Sequence, residues 1–372
     1  MPENTEKPAT WFARPAARTW TCPPAPAQAQ AFHASLPGYA VTPLHELPSL
    51  AAELGVGRVF VKDESARLGL PAFKALGASW AVHRALAERA ASSGASPEPV
   101  TLVTATDGNH GRAVARMARL LGQRAHVFVS KGVHPAASAA IASEGAEVTQ
   151  VAGPYDDAVH QAAVAAAEGT ATVLVQDSAW PGYERIPRWI VEGYSTLFAE
   201  IDAQLASSDA ELPDLVAVPV GVGSLAQAVV THYRSRPAGQ PAPALLSVEP
   251  EAAACVIESL TRGELTSVVT GDTAMAGLNC GTPSSLAWPY LRDGLDAAVA
   301  ITDADSARAA RELAALGVSS GPCGAASLAG VRAALTGEGA EGRREALGLG
   351  PASTLVLLST EGADANPHHQ EP

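Results

Sequence analysis

The sequence predicts an α/β protein of two lobes, each a mainly parallel sheet flanked by helices. Three observations carry this. Short β-type runs alternate with Ala- and Leu-rich helical stretches from about residue 40 onward. Four strand-like segments separated by helical ones follow one another between 101 and 177. Two glycine-bearing turns lead directly from a strand-like run into a helical one. A strand followed by a helix and then another strand pairs in parallel, with the helix crossing one face of the sheet.

Taken in order, residues 1–30 are rich in Pro, Ala and Thr, with Trp11, Phe12 and Trp20 as anchors, and read as an extended arm packed on the body and frayed at its tip. Strands are expected at Val59–Val61, Thr101–Thr106, Ala125–Ser130, Glu147–Val151, Thr172–Gln176, Leu215–Val220, Leu245–Glu249 and Thr354–Ser359. Helices are expected over 75–92, 111–122, 135–145, 155–168, 224–235, 303–316 and 324–335. The run from 101 to 177 can form a small sheet by itself. This sets the expected division: 1–77 as the arm and part of a large domain, 78–180 as a small mobile domain, and 181–372 as the remainder of the large one. The tail after Gly362 reads as disordered, and its His368-His369 pair is too isolated for a metal site.

Composition narrows the function. With 47% hydrophobic and 17% charged residues the chain is globular. No apolar run is long enough to span a membrane, and the first residues lack the pattern of a signal peptide. A net charge of −13 argues against a nucleic-acid partner. Cys22, Cys255, Cys280 and Cys323 are far apart and form no C-x-x-C, so neither a zinc site nor a dense disulfide framework is expected, and a reducing cytoplasm is.

The positive charge is carried almost wholly by arginine. The four lysines are Lys7, Lys62, Lys74 and Lys131. Arginine keeps its proton near neutrality and forms no Schiff base, whereas a buried lysine can serve as a covalent anchor. Lys74 stands in a small, apolar setting, Ala72-Phe73-Lys74-Ala75-Leu76-Gly77, after a Gly-Leu-Pro turn. On position alone, a solvent-exposed lysine at a helix start is the simpler reading.

Three loops add chemistry. In Thr106-Asp107-Gly108-Asn109-His110-Gly111, glycines admit a ligand to the backbone, the following helix start favours anions, and Asp107 lies at the carboxyl end of a strand. Gly221-Val222-Gly223-Ser224 also turns a strand into a helix and suits a phosphate. It matches G-x-G-x-x-A as well, and the next strand ends in Glu249, so a nicotinamide-dependent oxidoreductase is a rival reading. The third loop, Ser359-Thr360-Glu361-Gly362, delivers a hydroxyl at the end of a late strand.

In this order, Phe73-Lys74, the Gly-Asn-His-Gly turn, the glycine loop and the late serine resemble the fold-type II pyridoxal-phosphate enzymes, whose fold is that of the tryptophan synthase β chain. Within them the chain is most similar to the 2,3-diaminopropionate ammonia-lyase family. The matching stretches include Val61-Lys62-Asp63-Glu64-Ser65, Thr106 to Arg112, Gln176-Asp177-Ser178-Ala179-Trp180, Gly193-Tyr194-Ser195-Thr196-Leu197 and Met275-Ala276-Gly277-Leu278. The resemblance spans about residues 38 to 364. It implies that Lys74 holds pyridoxal 5'-phosphate covalently, that Asn109 bonds the ring oxygen, and that Gly221, Val222, Gly223 and Ser224 cradle the phosphate. It places Ser359 at the ring nitrogen. Lys74 and Asp107 are the implied bases for opposite enantiomers, and Asp107 and Asp177 attract a β-ammonium. The implied reaction is β-elimination from diaminopropionate to pyruvate and ammonia by a homodimer, with a serine or threonine dehydratase as the alternative. Two features depart from the pattern. The phosphate loop is glycine-poor, and Pro322-Cys323 stands where an acidic-small pair is expected.

Overall fold

The structure, a computed structural model, describes residues 10–93, 98–106, 108–169, 171–237 and 241–365. Its strands are β1 (Trp11–Ala13), β2 (Leu44–Glu46), β3 (Arg58–Asp63), β4 (Thr101–Thr106), β5 (Arg124–Ser130), β6 (Glu147–Val151), β7 (Thr172–Leu174), β8 (Leu215–Pro219), β9 (Ala244–Pro250), β10 (Ala297–Ile301) and β11 (Thr354–Ser359). They form a seven-stranded sheet, β1-β10-β9-β8-β11-β3-β2, and a four-stranded sheet, β6-β5-β4-β7. The four-stranded sheet is parallel throughout. In the larger sheet the five inner strands are parallel and the two short edge strands antiparallel.

The inner strands β8, β9, β10 and β11 are buried at every position. Their near-continuous apolar runs reflect helices covering both faces. Three-residue antiparallel strands close both edges, which limits edge-to-edge pairing with another chain.

The seven expected helices form with boundaries moved by no more than a few residues, among them Lys74–Ser93, Asn109–Leu120 and Ser224–Arg234. Other parts of the expectation need correction. β10 was not anticipated: Ala297-Ala298-Val299-Ala300-Ile301 is alanine-rich, and alanine favours helix over strand. Tertiary packing overrides that preference, since all five residues are buried. The expected strand Thr172–Gln176 ends at Leu174, because the Gln176 amide donates to the Tyr183 hydroxyl at 2.8 Å and the chain turns away. The arm is more structured than expected. It contains β1, a 3-10 turn over Pro15–Thr19 and a helix over Gln28–Ala34, with Trp20 edge-on to Tyr290 at 6.0 Å. The expected frayed tip at 1–9 lies outside the described residues, as does the tail from 366 onward. The helices Arg185–Gly193 and Ser195–Ser207 were not anticipated either.

The boundary expected at 78 falls inside the Lys74–Ser93 helix, so this helix joins the two sheets' territories. A buried ion cluster fixes the other side of the larger sheet. Lys62 on β3 donates to Glu200 Oε2 at 2.7 Å, to the Thr42 carbonyl at 2.8 Å and to Gln204 Oε1 at 2.9 Å. Arg67 donates to both oxygens of Glu64 and both of Glu200, at 2.7–2.8 Å. All four charged groups are buried, which makes each partner's presence a condition for the others. Among the described residues no helix is long and apolar enough to cross a membrane.

Candidate active site

Lys74 is the first residue of the Lys74–Ser93 helix, and the turn before it is held against the end of β11. The Phe73 amide donates to the Thr360 carbonyl at 3.1 Å, and Ala72 bridges to Glu361. The helix is seated by close packing. A Cβ on Gly77 would lie 2.6 Å from the Tyr194 ring, and one on Gly193 2.6 Å from the Leu76 carbonyl. Two glycines thus let the helices Lys74–Ser93 and Arg185–Gly193 approach until only backbone fits between them.

The Lys74 amine donates to Asp177 Oδ2 at 2.7 Å. Burial pulls the amine down, but the Asp177 charge outweighs it and holds Lys74 above its ordinary value. Burial would likewise raise Asp177, yet Lys74 and then His110 hold the carboxyl down at about 2. Both groups are therefore charged near neutrality. His110 is buried, donates through Nε2 to the Val175 carbonyl at 2.7 Å, and sets Nδ1 4.0 Å from Asp177 Oδ2. Burial holds its imidazole below the ordinary range.

The glycine loop lies beside this pair. Gly223 has φ +98°, a left-handed conformation that a side chain resists, and it opens the Ser224–Arg234 helix. The Ser224 hydroxyl donates to the Asp177 backbone carbonyl at 3.2 Å, tying the loop to the segment that carries the acid. A Cβ on Gly221 would meet Cys280 Sγ at 3.0 Å. Asn109 begins the helix after β4, where the Thr106 hydroxyl accepts from the Gly108 and Gly111 amides. Its Nδ2 donates to Glu361 Oε2 at 2.8 Å. Ser359, at the end of β11, is fully buried and donates to Ser320 Oγ at 2.8 Å. A Cβ on Gly324 would touch Ser320, Ser359 and Glu361 within 3.0 Å, so these three converge on one point.

The structure therefore joins Lys74, Asp177 and Ser224 directly, and joins Asn109 and Ser359 to them through Glu361 and the 72–74 turn. Asp107 lies outside the described residues. Sequence reading assigned no role to His110, Tyr194, Cys280, Ser320 or Glu361. His110 and Glu361 stood inside motifs already singled out, and Tyr194 followed Gly193 in a matching stretch. Cys280 carried no signal. At the Pro322-Cys323 departure, the Cys323 amide donates to Glu361 Oε1 at 3.2 Å, so a carboxylate from the next strand's end meets this helix start.

Glu249 corrects the nucleotide reading. It is fully buried, and its two oxygens accept from the Val256 and Ile257 amides, both at 2.8 Å. Both oxygens are thus taken up by the first turn of the Cys255–Arg262 helix, which leaves the carboxylate buried as a helix cap.

The residues fit pyridoxal phosphate. A lysine amine, an amide donor, a buried hydroxyl and an anion-ready helix start lie together. Two buried polar atoms of the site, His110 Nδ1 and the Tyr194 hydroxyl, have no hydrogen-bond partner among the described residues. Burial first, with Asp177 adding and Lys74 opposing, pushes the Tyr194 phenol up to about 12, so it remains a neutral donor. No group of three or more His, Cys, Asp or Glu among the described residues can hold a metal ion.

Comparison with known proteins bears on the same site. The family described as pyridoxal-phosphate dependent enzyme matches residues 36–347. The chain is 41% identical over 298 residues to diaminopropionate ammonia-lyase of Salmonella typhimurium, covering 76% of this chain and 73% of that one. It is similar to the crystal structure of diaminopropionate ammonia lyase from Escherichia coli in complex with D-serine. There the TM-score is 0.87 at 33% identity, over 96% of this chain and 95% of that one. The same values hold for the E. coli enzyme in complex with an aminoacrylate-PLP azomethine reaction intermediate.

Proposed function

Because the chain belongs to the diaminopropionate ammonia-lyase family of pyridoxal-phosphate-dependent enzymes, we propose that it converts 2,3-diaminopropionate to pyruvate and two molecules of ammonia. The cofactor, when bound, supplies the electron sink that makes the α-proton removable. The observation that carries the reading is the 2.7 Å contact between Lys74 and Asp177. It pairs the one lysine among the described residues placed for covalent attachment with a carboxylate that remains ionised near neutrality.

Each residue has a part. Lys74 would anchor the cofactor and would be the base for the α-proton of one enantiomer, with Asp107 the base for the other. Asp177 and Asp107 offer negative charge to the substrate's β-ammonium, the group that departs as ammonia. The amides of Gly221, Val222 and Gly223, with Ser224, bind the phosphate. Asn109 orients the ring oxygen. Ser359 would offer the ring nitrogen a neutral hydroxyl, which would favour loss of a β-leaving group over deeper charge storage in the ring. The enamine left by elimination adds water, releasing pyruvate and the second ammonia. Residues from about 78 to 180 move as a lobe that closes over the site and excludes water. The enzyme acts as a cytoplasmic homodimer. Its four cysteines are all free thiols, which fits a reducing compartment.

Diaminopropionate should be turned over faster than serine or threonine in kcat/KM. A charge pair in a partly desolvated site gives a discrimination of roughly 5- to 150-fold. Asp107→Asn should lower turnover of D-diaminopropionate more than of the L-form, for which Lys74 remains available. Pyruvate release from both enantiomers, alongside serine and threonine, is the measurement. Equal losses on the two enantiomers would remove the two-base assignment, and faster turnover of serine would make the protein a dehydratase.

Ser224→Asp should weaken pyridoxal phosphate binding by ~10-fold or more, because an acidic side chain opposes the phosphate charge in a buried setting. Titration of the apo-protein with cofactor, followed by absorbance, reads this. An unchanged affinity would place the phosphate elsewhere.

A further inference from the structure

Glu361 is buried and takes no part in the reaction above. It joins the turn before Lys74, the helix after β4 and the start of the Pro322–Leu335 helix. Its backbone is held on both sides. The Gly321 amide donates to its carbonyl at 2.9 Å, and Ala72 of the turn before Lys74 bridges to it. Its side chain reaches the other two elements. Oε2 accepts from Asn109 Nδ2 at 2.8 Å, and Oε1 accepts from the Cys323 amide at 3.2 Å. A Cβ on Gly321 would lie 3.0 Å from Oε1 and 3.1 Å from Cγ, so this glycine makes the room that the carboxylate occupies.

Asn109 is the residue assigned to the ring oxygen of the cofactor, and its amide can lie two ways. The two orientations exchange Oδ1 and Nδ2, which are nearly equal in size and opposite in hydrogen bonding. A carboxylate oxygen accepts, so opposite Glu361 the amide nitrogen is favoured and the amide oxygen repelled. A glutamine in its place would impose no such choice, because it offers a donor as well as an acceptor. The Asn109 nitrogen carries two hydrogens. One goes to Glu361, and the second is left for a further acceptor.

We propose that Glu361 is a positioning residue, which holds the Asn109 amide with its nitrogen, and not its oxygen, toward the ring oxygen of pyridoxal phosphate. Turned over, Asn109 would set lone pair against lone pair there. The inference rests on Asn109 meeting the ring oxygen and is independent of which amino acid the enzyme turns over.

The test combines Glu361→Gln with Asn109→Ala in the full chain. It reads the affinity of the apo-protein for pyridoxal phosphate and the position of the bound cofactor's visible absorption band. Glutamine keeps the shape of the side chain, and its carbonyl oxygen can still accept from the Cys323 amide. Each single variant should weaken the cofactor by ~10-fold and shift the band in the same direction. In the Asn109→Ala background, Glu361→Gln should add less than about 2-fold, because its effect runs through Asn109. Additive losses, or a band that Glu361→Gln leaves unmoved, would overturn the proposal while Asn109 kept its role. Unchanged affinity and band in Asn109→Ala alone would remove the assignment of Asn109, and the proposal with it. Asn109→Asp combined with Glu361→Gln reverses the polarity of the contact and restores a hydrogen bond between the two positions. This pair should recover wild-type resistance to urea without recovering cofactor affinity. Recovered affinity would show that Glu361 is a latch between the two elements and would refute the orienting role.

Discussion

Replacing Lys74 with alanine is expected to abolish turnover, by at least ~10³-fold, and to eliminate the covalent link to the cofactor. Neither of the other lysines among the described residues offers a substitute. Lys62 is fully buried and engaged by Glu200, Gln204 and the Thr42 carbonyl, while Lys131 is exposed and Lys7 lies outside the described residues. Borohydride reduction followed by peptide mass spectrometry should find the cofactor on Lys74 in the wild type and nowhere in the variant. Lys74→Arg is the control for folding, since it keeps a cation beside Asp177 but cannot form the link. An adduct on Lys62 or Lys131, or normal turnover by the alanine variant, would refute the assignment.

Glu200→Gln is expected to destabilise the fold by about 3–5 kcal/mol, the cost of breaking a buried ion cluster from one side. The substitution leaves Lys62 and Arg67 buried against Glu64 alone. Burial would raise Glu200, but its hydrogen bonds and charge interactions with Arg67, joined by Lys62, outweigh it and hold the carboxyl at about 2. Its folded value thus lies below the ordinary ~4.3 of an unfolded chain. The stabilisation is complete above that unfolded value and disappears as pH falls through about 2. Urea unfolding at neutral pH should show the full difference between wild type and variant, and the difference should shrink on acidification below pH ~4. Added salt should change it little, because the pair is screened weakly. A difference that stayed constant down to the acid limit would show that Glu200 acts through packing rather than charge.

The sequence carried the parts of this site that depend on local pattern. Lys74 stood out because arginine supplies most of the other positive charge, and the two glycine turns declared themselves at strand-to-helix junctions. The rest depends on distance along the chain. The partner of Lys74 is 103 residues away, and the partner of Asn109 is 252 residues away. No periodicity relates such positions, so Asp177 entered only through family resemblance and Glu361 received no role. β10 was missed for a different reason. Its alanines signal helix locally, and only the packed sheet shows why small residues occupy a strand there. Glu249 shows the opposite failure, since a motif-compatible acid proved to be a helix cap.

The place of β11 has a consequence for how the protein is made. It is the latest strand in the described chain, yet it lies inside the larger sheet, paired with β3 on one side and β8 on the other. During synthesis, β3 and β8 leave the ribosome with the slot between them empty. The four-stranded sheet can close as soon as β7 is made, because all its strands lie between 101 and 174. The larger sheet must wait for residue 359, nearly three hundred residues after Lys74. A nascent chain therefore carries one finished lobe and one exposed, half-built lobe for about half of its elongation, which is the interval when a chaperone has most to cover.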